Sequence, residues 1–363
     1  MKKVSAAKLT PGMIVASDVI SYDNRTILSK GTELTATLIA RLELYGILTV
    51  NVEDKKTEAP AITDPDYNAP EGPSYMEQMR SSERFVEFKE EFDNQISSFS
   101  FALSEMVGKN VTADPAELIK GPLDMIKKAG STGSVLEMLH VMRDYDDSTF
   151  AHCMNVSLLN YIVAGWLGWS ENEKELAMEC GLFFDIGKLK VPHEILEKTD
   201  VITPDERDIV QRHAEDGREI IDNHGLDPAI ANAALMHHER FDGSGYPFGI
   251  SGDKIDKYAR LVALTDSYDA MTSARPYREA MCPFRAVEIF EDEGLEKYDP
   301  DMVLTFLKNV TYTYVQNRCV LSDGRIGTII MINPLRYSRP VVQVGNKYVD
   351  LSKESTLTVE KLI

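Results

Sequence analysis

Within His237-His238-Glu239-Arg240-Phe241-Asp242-Gly243-Ser244-Gly245-Tyr246-Pro247 the chain sets two adjacent imidazoles and a carboxylate beside a glycine-rich turn. Imidazole is the commonest protein metal ligand. Adjacent histidines bind one ion together, face two, or form a plain surface pair. The rest of the chain favours the metal. All seven histidines lie between His140 and His238, which points to one metal-rich core domain. His152 begins an apolar helical stretch with Val156, Leu159, Ile162 and Val163. His213 sits in Arg212-His213-Ala214-Glu215, inside a helix opened at Thr203. Asp185 is flanked by Phe184 and Ile186, and Asp266 ends the apolar run Leu261-Val262-Ala263-Leu264-Thr265. An unpaired carboxylate in such surroundings is expensive to bury, and a bound cation removes that cost. Four imidazoles and two carboxylates from separate helices are the inventory of a two-metal site.

These residues must be positioned by helices. From about 74 to 315 the apolar periodicity is helical almost throughout. Ser170 with Glu173, and Thr203-Pro204-Asp205-Glu206, are capping-box starts. Asp227-Pro228 opens a helix that runs into His237 and His238, and another spans Lys257 to Thr272. The expected class is mainly α: an all-helical core with a small α+β N-terminal domain and a short β-rich C-terminal extension. The boundaries read as a mixed domain at 1–55, a Pro/Ala/Asp-rich linker at 56–73 and a helical connector at 74–130. The helical core covers 131–315 and the β-rich extension 316–363. In the first domain, Met13–Ala16, Thr26–Leu28 and Ile47–Val52 read as strands, with Leu34, Leu38, Ile39 and Leu42 at helical spacing. Gly327–Ile332 and Pro340–Val344 read as strands in the tail. Phe85, Phe88 and Phe92 share one segment and suggest either a homodimer contact or core packing.

The bulk properties exclude several classes. The 363 residues are enough for two or three domains, and 43% apolar residues suffice for a core. A net charge of -19 argues against binding a nucleic-acid duplex or an anionic membrane. Such a chain can still process a small anion where metals reverse the local field. The four cysteines, Cys153, Cys180, Cys282 and Cys319, are widely spaced and read as free thiols. The N-terminus lacks a signal-peptide pattern and no run of about 18 apolar residues occurs, so a cytoplasmic protein is expected.

Taken in order, these motifs resemble the HD-GYP family of HD-superfamily phosphohydrolases. The matching pieces are Thr149 to Val156 around His152, Asp185-Ile186-Gly187-Lys188, Pro192 with Ile195-Leu196, and His213 with Gly217. The segment His237 to Pro247, Asp266 with Asp269-Ala270-Met271-Thr272, and Arg275-Pro276-Tyr277-Arg278 complete the set. The first 55 residues and the tail resemble extensions that accompany such domains. The resemblance implies a phosphodiesterase that converts cyclic di-GMP, a bacterial second messenger, to linear dinucleotide or GMP. It implies divalent ions, two here, of iron or manganese. The implied ligands are His152, Asp185, His213, His237, His238 and Asp266, with Asp185 bridging and catalytic. Lys188 is implied as catalytic and, with Arg275, Arg278 and Tyr246, as substrate-contacting. The Gly243–Pro247 loop is implied as a protein-partner surface.

The sequence departs from the family at three places. Phe184 stands where the His of the His-Asp pair belongs, and a phenyl ring cannot ligate. Ser148 replaces a glutamate carried by members with three ions, which limits the expectation to two. Ala214 replaces a common proline. Phe184 motivates an alternative: a catalytically weak or inactive member acting as a cyclic di-GMP sensor or a protein-interaction module. His193 is the one neighbour that could replace the missing imidazole.

Overall fold

In the computed structural model the described residues are 2–5, 9–20, 26–35, 38–39, 42, 47, 49–53, 75–142, 148–196, 198, 203–273, 280–354 and 356–363. The expected linker, 56–73, lies wholly outside them, as do Arg275 and Arg278.

The N-terminal part holds two antiparallel pairs, β1 (Lys2–Ser5) with β4 (Thr49–Val52) and β2 (Val19–Ile20) with β3 (Thr26–Leu28). Ile14 and Val15 make only isolated bridges. Leu38, Ile39 and Leu42 are helical. Val4, Leu9, Val15, Leu34, Leu42 and Val50 bury a small core of their own.

A long helix, α1 (Glu83–Lys109), leads into the helical part. Phe85, Phe88 and Phe92 are buried in this chain's own core, so the dimer contact suggested by their spacing is intramolecular packing. The site is built from α2 (Thr149–Trp166), α3 (Glu171–Phe183), α4 (Pro204–Gln211), α5 (His213–Asn223), α6 (Pro228–Met236) and α7 (Lys257–Thr272). Side chains satisfy the orphan amides at their starts. The Ser148 hydroxyl accepts from Ala151 N, and Asp256 accepts from Tyr258 N. Thr203 and Glu206 cap α4 reciprocally, and Ser170 N donates to Glu173. α2 packs along α3 and α7, and α5 along α6.

The single helix expected from Thr203 through His213 is two. Arg212 caps α4 and His213 is the first residue of α5. This break lets His213 face inward at a helix start. Likewise α6 stops at Met236, and His237 caps it.

β5 (Arg318–Leu321), β6 (Ile326–Met331), β7 (Val341–Val344), β8 (Lys347–Asp350) and β9 (Val359–Leu362) form one antiparallel sheet in the order β8-β7-β6-β5-β9. Its buried Cys319, Leu321, Ile329, Val342 and Val359 belong to the same apolar cluster as the helices. Arg339 clamps the joint by bonding Glu288 at 2.5 Å. No helix among the described residues is long and apolar enough to cross a membrane. All four cysteines are free and buried.

Candidate metal centre

The floor of the site is Asp185, which ends α3 and enters a tight 3₁₀ turn, Ile186–Lys190. That turn lies against α5. A Cβ on Gly187 would fall 1.9 Å from His213 O, so only glycine lets the Asp185 turn reach His213.

Three imidazoles converge beside Asp185. His213 Nε2 lies 3.2 Å from His237 Nε2 and 3.2 Å from His238 Nε2. Asp185 Oδ1 is 3.4 Å from His213 Nε2 and 3.6 Å from His237 Nε2. The tautomers follow from the far side of the rings. His213 Nδ1 donates to Val210 O at 2.6 Å, and His237 Nδ1 donates to Ala234 O at 2.9 Å. A carbonyl only accepts, so Nδ1 carries the proton and Nε2 presents a lone pair. Burial lowers the His213 pKa to about 4 and also lowers that of His237. Burial, with His237 and His213 alongside, holds His238 well below its ordinary value. The rings are therefore neutral, and the Nε2 lone pairs of His213 and His237 face each other with no proton between them. Asp185 Oδ1 is buried with no hydrogen-bond donor. Both facts disfavour this arrangement unless a cation sits among the four atoms, so the donor set fits a divalent transition metal.

The other carboxylate oxygen, Oδ2, receives Lys188 Nζ at 2.5 Å. Burial opposes both charges, but each partner outweighs it for the other. Asp185 is held below the usual carboxylate range and Lys188 above the usual amine range.

His152 and Asp266 form a second, differently built group. His152 Nε2 meets Asp266 Oδ1 at 2.9 Å and Nδ1 meets Asp269 Oδ2 at 2.8 Å. Burial works against charge on this ring, yet hydrogen bonds to Asp266 and Asp269 raise its pKa to about 9. Asp266 in turn drops well below the carboxylate range: burial opposes the shift, but the His152 bond outweighs it. Asn155 also points its amide at Asp269, at 3.5 Å. Phe184, 1% exposed, packs against both groups, its ring centre 5.7 Å from that of His152 and 4.9 Å from that of His237.

Tyr246 stacks on His238, with centroids 4.6 Å apart. Its loop is tied down by Glu239, 1% exposed, which accepts from Phe248 N at 2.7 Å and Ile250 N at 3.2 Å. The loop's exposed aromatic is Phe248. His193 is exposed at the start of a short helix and lies outside the imidazole cluster. His224 bonds Thr112, and His140 packs on Tyr314.

The structure thus brings Asp185, His213, His237, His238 and Lys188 into one group, with His152 and Asp266 in a neighbouring group whose Asp266 interacts electrostatically with Asp185, Lys188 and His237. Spacing did not single out Asp269 or Glu239. The three-residue interval from Asp266 to Asp269 on one helix was the available signal for the first.

The sequence profile of the HD domain family matches residues 156–302. Curated relatives share this region. A cyclic di-GMP phosphodiesterase of Pseudomonas aeruginosa is 34% identical over 190 residues, covering 52% of this chain and 46% of that protein. One from Thermotoga maritima is 36% identical over 177 residues, covering 48% of each. A 3'3'-cGAMP-specific phosphodiesterase of Vibrio cholerae is 36% identical over 156 residues, covering 43% of this chain and 36% of that protein. The chain spans about half the length, or less, of these relatives.

Proposed function

We propose that this chain, whose residues 156–302 are those of an HD domain, is a phosphodiesterase that opens cyclic di-GMP to linear dinucleotide and then GMP. The observation that carries the reading is the meeting of the His213 and His237 lone pairs, beside His238 Nε2, with Asp185 Oδ1, which has no donor among the described residues. The relatives' names supply the substrate class, a cyclic dinucleotide.

Iron or manganese is the proposed cofactor, held by His213, His237, His238 and Asp185, with His152 and Asp266 as the ligands of the second expected ion. When bound, such an ion polarises a phosphate oxygen and acidifies water. The side chains do the rest. Asp185 orients the attacking water and takes its proton. Lys188, half-buried beside Asp185, meets the charge that grows on the phosphate oxygens. Arg275 and Arg278 grip the phosphates, and Tyr246 lines the rim above His238. Phe248 extends the loop as a surface for a protein partner. A second messenger of this kind makes the cytoplasm the proposed compartment.

Phe184 favours a second reading: a protein that binds the dinucleotide and signals without cutting it. The test incubates the full chain, loaded with Mn²⁺ under reducing conditions, with cyclic di-GMP and separately with 3'3'-cGAMP, and separates the products by chromatography. Linear dinucleotide and GMP from the first supports the main reading. Faster cleavage of 3'3'-cGAMP replaces the substrate, and binding without cleavage supports the second reading. Neither binding nor cleavage overturns both.

A further inference from the structure

The geometry points to a centre that holds one divalent ion per chain, in the pocket of His213, His237, His238 and Asp185, with Phe184 excluding the second. This rests on the reading of the site as metal-binding and departs from the pair of ions that its ligand inventory suggests.

Donor supply is unequal between the two groups. Among the described residues, the donor atoms of His213, His237 and His238 all lie within 4.8 Å of one another. Asp185 Oδ1 adds a fourth donor at 3.4 and 3.6 Å. Four donors with an open side suit a transition metal that also takes substrate. His152 is instead held by two carboxylates, Asp266 on Nε2 and Asp269 on Nδ1, so both its nitrogens already have partners. That group is satisfied with no ion, whereas the facing lone pairs of His213 and His237 are not.

Phe184 then fixes the difference. Its ring is buried against both His152 and His237 and offers no lone pair. An ion beside it would trade hydration for apolar contact on that side.

The test strips the full chain with chelator, reloads it with excess Mn²⁺, removes unbound ion and measures manganese per chain by mass spectrometry. One ion is expected in the unaltered protein and in His152→Ala, none in His238→Ala, and two in Phe184→His. Circular dichroism checks that each variant is folded. If Phe184→His is not, His152→Ala against His238→Ala still decides. Two ions in the unaltered protein, or an ion lost with His152→Ala and kept with His238→Ala, overturns the inference while leaving the site metal-binding. No ion in any form overturns the metal reading itself.

Discussion

The ring centres of Phe184 and His237 lie 4.9 Å apart, with the two planes at 80°. The same ring meets His152 at 5.7 Å and 75°. A side chain with no ligand atom thus packs inside a polar site. It contributes apolar burial of order 1.5–3 kcal/mol to the folded state, and it touches both an imidazole cluster that needs a cation and a histidine–carboxylate group that does not.

Among the described residues Lys188 donates to Asp185 Oδ2, at 2.5 Å. Lys188→Met leaves the buried carboxylate without a counter-charge. In chelator-treated protein this should cost about 3 kcal/mol in urea unfolding. Mn²⁺ should restore part of the loss, because an ion that binds only the folded state stabilises it. Turnover of the loaded variant should fall roughly 10²-fold.

Glu239 holds the Tyr246 loop through the Phe248 and Ile250 amides. Glu239→Ala leaves those donors unpaired and should destabilise the protein by about 2 kcal/mol. Limited proteolysis should then cut near Gly249 sooner than in the unaltered protein. Glu239→Gln, which keeps an acceptor oxygen, should recover most of the resistance.

Glu179 lies on α3 away from the metal centre. Burial, reinforced by Asp227, Glu175 and Asp114, raises its pKa from 4.5 to about 7. The folded state therefore binds a proton that the unfolded state releases near 4.5. Stability falls as pH rises through that window, and the penalty is complete above 7. Glu179→Gln should stabilise the protein by ~1 kcal/mol at pH 8, discounted for partial exposure, and change little near pH 4.5. Thermal melts at the two pH values check this.

Much of this arrangement is legible in the chain. The capping residues Ser170, Thr203 and Asp256 announce helix starts because they compete for the first free amides. The helix Lys257–Thr272 follows directly from its apolar period. The tail changes to period two and folds as a sheet. The chemical types at Asp185, His213, His237 and His238 show what the site can bind. Other features needed three dimensions. The break at Arg212 carries no Pro or Gly to mark it. The absence of an imidazole at Phe184 is visible in sequence, but not that its ring packs against both His152 and His237. Asp269 looks like any carboxylate one turn beyond Asp266 until His152 is found between them.

Anomalous diffraction at the manganese edge, from crystals of the Mn²⁺-loaded protein, tests the central claim most directly. A peak roughly 2 Å from the Nε2 atoms of His213, His237 and His238 and from Asp185 Oδ1 is the result expected. A peak only between His152 and Asp266, or density for water alone among the three imidazoles, would contradict it.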